Sequence, residues 1–162
     1  MKRVVVAVDG SEVSRALMGY AFHYAYREGD TELYFLHVVE TTKYAGFEPG
    51  PLWTGAYLPC DEDRMNQARA SIEAGVQEAR KSFPHEIPNM SVTVVLGVPY
   101  QEIVDFAKGK DADMIMIGHQ GLSNLERFFI GSVAAKVVAH APCSVYVLRP
   151  KAVPGTGETQ KA

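Results

Sequence analysis

Apolar residues fall along this chain in five short runs, and between the runs they recur every three or four positions. The runs are RVVVAV (3–8), LYFLHVV (33–39), SVTVVLG (91–97), DMIMIG (113–118) and CSVYVLR (143–149). Their near-continuous apolar character, rich in β-branched residues, predicts strands buried on both faces. The intervening periodicity predicts helices. Val13, Ala16, Leu17, Tyr20, Ala21 and Tyr24 form a stripe that Ser11 can cap and Gly29 can end. Asp61 opens a second helix striped by Met65, Ala68, Ile72, Val76, Ala79 and Phe83. A short third helix carries Pro99 in its first turn and turns Ile103, Val104 and Ala107 inward. Val133, Ala134, Val137 and Val138 mark a last one, stopped by Pro142.

Five strands alternating with four helices predict an α/β domain over residues 1–150, with a parallel sheet and helices on both faces. Each connection is long enough for a right-handed crossover. Residues 151–162, KAVPGTGETQKA, read as a polar, flexible tail. In such sheets a ligand sits beyond the carboxyl ends of the strands, where strand order reverses. Asp9 and Gly118 fall at strand ends of that kind.

The stretch after the fourth strand, GHQGLSNLERFFIGSVAAK (118–136), carries the chemistry. Gly118 and Gly121 let the backbone turn and approach a ligand without Cβ hindrance. Nine residues later Gly131 and Ser132 open the last helix, whose first N–H groups lack internal partners and whose dipole adds about half a positive charge. A phosphate chain is expected to lie across Gly121 and the N–H groups of Gly131, Ser132 and Val133, with the Ser132 hydroxyl donating one more bond. Taken singly, the glycines also read as turn residues and Gly131-Ser132 as an ordinary helix start. Asp9 reads either as a ligand contact or as a cap for the first helix. Arg127 reads either as a phosphate contact or as a solvated surface arginine.

Composition narrows the partners. The chain has 162 residues, is 47% hydrophobic and carries a formal charge of −3, so no basic field draws in nucleic acid or an anionic membrane. No apolar run approaches the roughly 20 residues of a spanning helix. The run before Asp9 is shorter than the core of a signal peptide. Cys60 and Cys143 match neither a metal pattern nor a disulfide framework, which suits the cytoplasm. His23, His37, His85, His119 and His140 show no ligand spacing, so no protein-only metal site is expected. His119 occupies the best place for a general base, but no serine or cysteine nucleophile pairs with it in sequence, and it reads as a loop hydrogen-bonding residue. The connection 40–60, with Tyr44, Phe47, Trp53 and Tyr57, reads as a cover over the ligand, a contact with another subunit, or a loop folded on its own domain. The fifth strand is expected at an open sheet edge, with no charge until Arg149, and such an edge invites pairing.

The VAVDGSE turn at the first strand, the G-2x-G-9x-G(S/T) spacing from Gly118 to Ser132 and the PCSVYVLRP ending together resemble the ATP-binding signature of the universal stress protein family. The resemblance spans residues 1–149. It implies a Rossmann-like domain of strand order 3-2-1-4-5 that binds ATP, ADP or AMP between the first and fourth strands, with Mg2+ entering only through the phosphates. It places Ala7, Val8 and Asp9 at the adenosine end, Val38 with its backbone against adenine, and Ile117 beside Gly118. Gly118 with His119 and Gly121 matches the first glycine pair; Gly131, Ser132 and Val133 match the phosphate-binding helix start. Two departures stand out. His119-Gln120 replaces the small residue followed by His or Arg found in many members, so the resemblance does not carry a side-chain phosphate contact over to position 120. Ala7 stands where some members carry proline.

The resemblance also implies a homodimer through residues 143–149, with protein partners left open. The function expected is a nucleotide-dependent regulatory module in stress response. The alternatives are a slow ATPase or nucleotidyl-transferring enzyme using the same crevice, and a scaffold that has lost its ligand. No GxxxxGK(S/T) motif occurs and GHQG is not the HxGH of nucleotidyl transferases, so fast turnover is not expected.

Overall fold

The computed structural model describes residues 1–41, 61–87, 89–119 and 130–149. Its elements run β1 (Lys2–Ala7), α1 (Glu12–Glu28), β2 (Thr31–Glu40), α2 (Asp61–Lys81), β3 (Met90–Gly97), α3 (Pro99–Gly109), β4 (Met114–Gly118), α4 (Ser132–His140) and β5 (Ser144–Leu148). The strands form one sheet of order β3-β2-β1-β4-β5, and every pairing is parallel. The five strands and four helices are those the apolar pattern predicts. Their ends differ by one to two residues. The largest extension is β2, lengthened because Lys2 pairs with Thr31 and Glu40 with Gly97, partners that sequence alone cannot supply.

β1 lies at the centre, paired with β2 on one side and β4 on the other. Its side chains alternate between two cores. Val4, Val6 and Val8 pack with Leu33, Phe35 and Met116 beneath α1 and α2. Val5 and Ala7 pack with Leu36, Ile115 and Ile117 beneath α3 and α4. Burial on both faces is why these strands read as continuous apolar runs.

The first helix corrects the predicted stripe. Its buried residues are Ser14, Leu17, Met18, Ala21, Phe22 and Ala25, while Ala16 and Tyr20 are exposed and Val13 and Tyr24 half-buried. Two adjacent stripes on α1 are apolar enough to face the sheet, and only packing chooses between them. The chosen face contains a serine, which hid it from a search for apolar periodicity. The neighbouring stripe is not wasted: Tyr20 stacks on Tyr146 of β5, ring centroids 4.5 Å apart. A hydrogen bond with the Tyr20 hydroxyl, and then burial, push the Tyr146 pKa up to about 12.

In α4 Ala134 and Val137 are buried as predicted, but Val138 is 51% exposed. α2 buries only Ile72 and Val76, with Phe83 buried just past its end. Gly29 ends α1 with φ at +79°, a conformation that glycine alone adopts without strain. β5 is an edge strand, as expected. Cys143, beside it, is a free half-buried thiol whose pKa is raised by burial and then by the charge of Asp113. Cys60, the aromatic residues of 42–60 and the tail from 151 lie outside the described residues.

Two substitutions test this packing. Phe22 is fully buried against Phe35 and Phe83. Phe22→Ala should cost about 3–5 kcal/mol, read as a lower urea midpoint at unchanged slope. Gly75 sits inside α2, where an added Cβ would meet Met18 Cε at 3.6 Å, an ordinary contact. Gly75→Ala should therefore stabilise the fold by about 0.5–1 kcal/mol and raise the melting temperature.

Candidate functional site

At the carboxyl ends of β1 and β4 the chain leaves the sheet toward opposite faces, α1 on one and α4 on the other, and a cleft of about 250 Å³ opens between them. Ala7, Val8 and Asp9 line it from β1, and Val38 from β2. Ile117, Gly118 and His119 line it from the end of β4, and Gly131, Ser132 and Val133 from the start of α4. The structure thus brings ten of the twelve residues singled out from sequence to one cleft. The other two, Gly121 and Arg127, lie outside the described residues.

The two walls differ in hydrogen-bonding character. At α4 the N-cap is Gly131, which offers no side-chain cap, and the first turn carries no acidic residue. Gly131 N–H itself donates to the carbonyl of His119 at 2.7 Å. It is therefore not a donor for a ligand, contrary to the expectation from sequence. The first helical bond joins Ala135 N–H to Gly131 C=O, which leaves the N–H groups of Ser132, Val133 and Ala134 without an intrahelical acceptor. All three residues line the cleft. His119 is 7% exposed, and its Nδ1 has no hydrogen-bond partner among the described residues. Its backbone is held at both ends, since its N–H donates to Leu148 C=O. A buried imidazole nitrogen without a partner beside an uncapped helix start is a costly arrangement unless a ligand completes it.

The opposite wall is an acceptor wall. Asp9 is half-buried, and its Oδ1 accepts from Ser11 N–H at 3.0 Å and from the Ser14 hydroxyl at 2.6 Å. Ser11, not Asp9, caps α1 by accepting Ser14 N–H. Gly10 makes the turn between them with φ at +80°. Across the cleft floor His37 Nδ1–H donates to the Val8 carbonyl at 2.8 Å, which ties the end of β1 to β2. His37 therefore has a structural place that its spacing in the sequence did not suggest.

Sequence reasoning missed Ser14, Leu36, Pro99, Ile103 and Ala134 as cleft residues. Four are apolar and carry no chemical signal. Ser14 did carry one: it is the second serine of DGSEVS, three residues after a serine already sufficient as the cap. Among the described residues no lysine or arginine lines the cleft, and no group of three His, Cys, Asp or Glu side chains is placed to hold a metal. Among them, too, no helix is long and apolar enough to cross a membrane.

The Universal stress protein family model matches residues 1–149. Universal stress protein MJ0531 of Methanocaldococcus jannaschii is 30% identical over 148 residues, covering 91% of this chain and 82% of the relative. Among solved structures, universal stress protein UspA of Lactobacillus plantarum superposes with a TM-score of 0.67 at 28% identity, over 91% of this chain and 97% of that one. The universal stress protein of Archaeoglobus fulgidus, solved in complex with dAMP, has a TM-score of 0.59 at 27% identity, over the same shares of the two chains. The strand order, the glycine spacing and these likenesses agree, and the chain belongs to the universal stress protein family.

Proposed function

We propose that the protein is an adenine-nucleotide-binding regulatory module of stress response, taking ATP, or ADP or AMP, in the cleft between β1 and β4. One observation carries this reading: Ser132, Val133 and Ala134, whose N–H groups open the first turn of α4 without an acceptor in the helix, line the same cleft as Asp9. The helix start suits an anion, and its dipole adds about half a positive charge. The Asp9 carboxylate accepts hydrogen bonds only, so it suits the hydroxyls of a ribose. Val8, Val38 and Ile117, which line the same cleft, supply apolar contact for a base. The dAMP complex of the A. fulgidus relative supports the same class of ligand. In this reading Gly118, His119 and Gly121 border the phosphates and Arg127 reaches toward them, with Mg2+ held by the phosphates alone.

The reading is of binding, not turnover. Fast phosphoryl transfer in P-loop enzymes relies on a lysine held against the β- and γ-phosphates, and the sequence has no GxxxxGK(S/T) motif to place one. The same proposal treats residues 1–150 as one nucleotide-binding domain, with 151–162 a polar tail, acting in the cytoplasm. The exposed edge of β5 supports a homodimer through that strand.

ATP with magnesium at about 100 times its dissociation constant should add about 2.7 kcal/mol of stability, a rise of roughly 5–10 °C in melting temperature. Gly131→Val should abolish the rise. Its φ of −58° accepts a β-branched residue without strain, so the variant changes the cleft wall and not the backbone. No rise with the parent protein would overturn nucleotide binding; phosphate release at about 1–1,000 per second would replace it with an enzymatic function. Sedimentation equilibrium should give twice the chain mass of 17.8 kDa, and a single-chain mass would exclude the dimer.

A further inference from the structure

Ser14 is 4% exposed, lies at the third position of α1 and lines the cleft. A hydroxyl offers one hydrogen to donate and two lone pairs to accept with, and here all three are accounted for. The oxygen accepts Asp9 N–H at 2.9 Å and the Ser11 hydroxyl at 3.4 Å. The hydrogen goes to Asp9 Oδ1 at 2.6 Å, within the range of a short charge-assisted bond. Ser14 thus has no capacity left for a ligand. It holds Asp9 at two points, backbone and carboxylate, while Ser11 N–H holds the same carboxylate oxygen from the turn. A half-buried aspartate at the end of a strand would otherwise sample several rotamers. With one oxygen tied to the turn by two donors, a single orientation remains, and a ligand does not bear the entropy of fixing it.

We propose that Ser14 is the positioning residue of the cleft: by clamping Asp9 from both its backbone and its Oδ1, it pre-sets the carboxylate to accept hydrogen bonds from the ribose hydroxyls of a nucleotide. This rests on the nucleotide reading above and adds to it a sugar-specific role for a residue that touches no ligand. It also explains why the buried face of α1 includes a serine. An alanine there would pack as well and leave the Asp9 carboxylate held by Ser11 N–H alone.

The test is calorimetric titration of the full chain with ATP and with 2′,3′-dideoxy-ATP, which keeps the base and the phosphates and lacks both hydroxyls. The parent should prefer ATP by roughly tenfold, the effect of a hydrogen bond to a charged group. Ser14→Ala should lose most of that preference by weakening ATP alone, with dideoxy-ATP unchanged. Asp9→Asn should lose it too, and adding Ser14→Ala to Asp9→Asn should change nothing further, because the serine acts only through the aspartate. The cap on α1 comes from Ser11, so Ser14→Ala keeps the helix start. Equal weakening of both ligands by Ser14→Ala, or additive effects in the double variant, would overturn the positioning role while nucleotide binding stands. So would a parent that binds both ligands equally. A parent that binds neither would remove the nucleotide reading itself and this role with it.

Discussion

Everything at the ligand end follows from the two-sided burial of β1. The strand is paired on both edges and covered on both faces, so its backbone has no freedom and its side chains have no choice of environment. Parallel pairing then forces all five strands to end at the same side of the sheet. Because β2 and β4 flank β1 and their crossovers run over opposite faces, the chain parts at the end of β1 and a cleft is left. No residue at the site has to create this space. The site residues decorate a gap that topology makes.

The two helices that border the gap are started in opposite ways. α1 is closed by protein groups: Ser11 caps Ser14 N–H, and Asp9 and Ser14 bind the turn to itself. α4 begins at a glycine, without a side-chain cap or an acidic first turn. The same physical feature, a helix start with unpaired N–H groups, is satisfied internally in one place and presented to the cleft in the other. Its partner across the cleft is a carboxylate that accepts and does not donate. An acceptor wall at Asp9, a donor wall at the start of α4 and the apolar side chains of Val8, Val38 and Ile117 line one cleft. A nucleotide carries one group for each: phosphates that accept, ribose hydroxyls that donate and a flat base.

Sequence patterning read the strands more reliably than the helices. A strand buried on both faces needs only to be apolar throughout, and the shortness of RVVVAV and DMIMIG and the β-branched content of the first favour strands. An amphipathic helix needs its buried stripe identified. On α1 the residues 13, 16, 17, 20, 21 and 24 and the residues 14, 17, 18, 21, 22 and 25 are competing stripes, and the second is the buried one. Packing decides it by burying Met18 and Phe22, and Ser14 can join that face because its hydroxyl is satisfied by Asp9 five residues earlier. Val138 errs the same way, an apolar residue on a periodic stripe that faces solvent because Ala134 and Val137 already fill the contact.

The family resemblance supplied Ala7, Val8, Val38, Ile117 and His119 of the cleft; the residues themselves gave the α/β class, the number and sequence positions of strands and helices, and Asp9, Gly118, Gly131, Ser132 and Val133. Those are local properties: turn glycines, strand-ending acids and helix starts declare themselves within a few residues. Tertiary structure alone decided the rest. It set which face of α1 is buried, it engaged Gly131 N–H on His119 and so moved the open donors one residue along, and it left Nδ1 of His119 without a partner among the described residues. It also put Ser14 behind Asp9. Each of these depends on hydrogen-bond or packing partners brought together by the fold, and no spacing along the chain encodes which partner a buried polar group will meet.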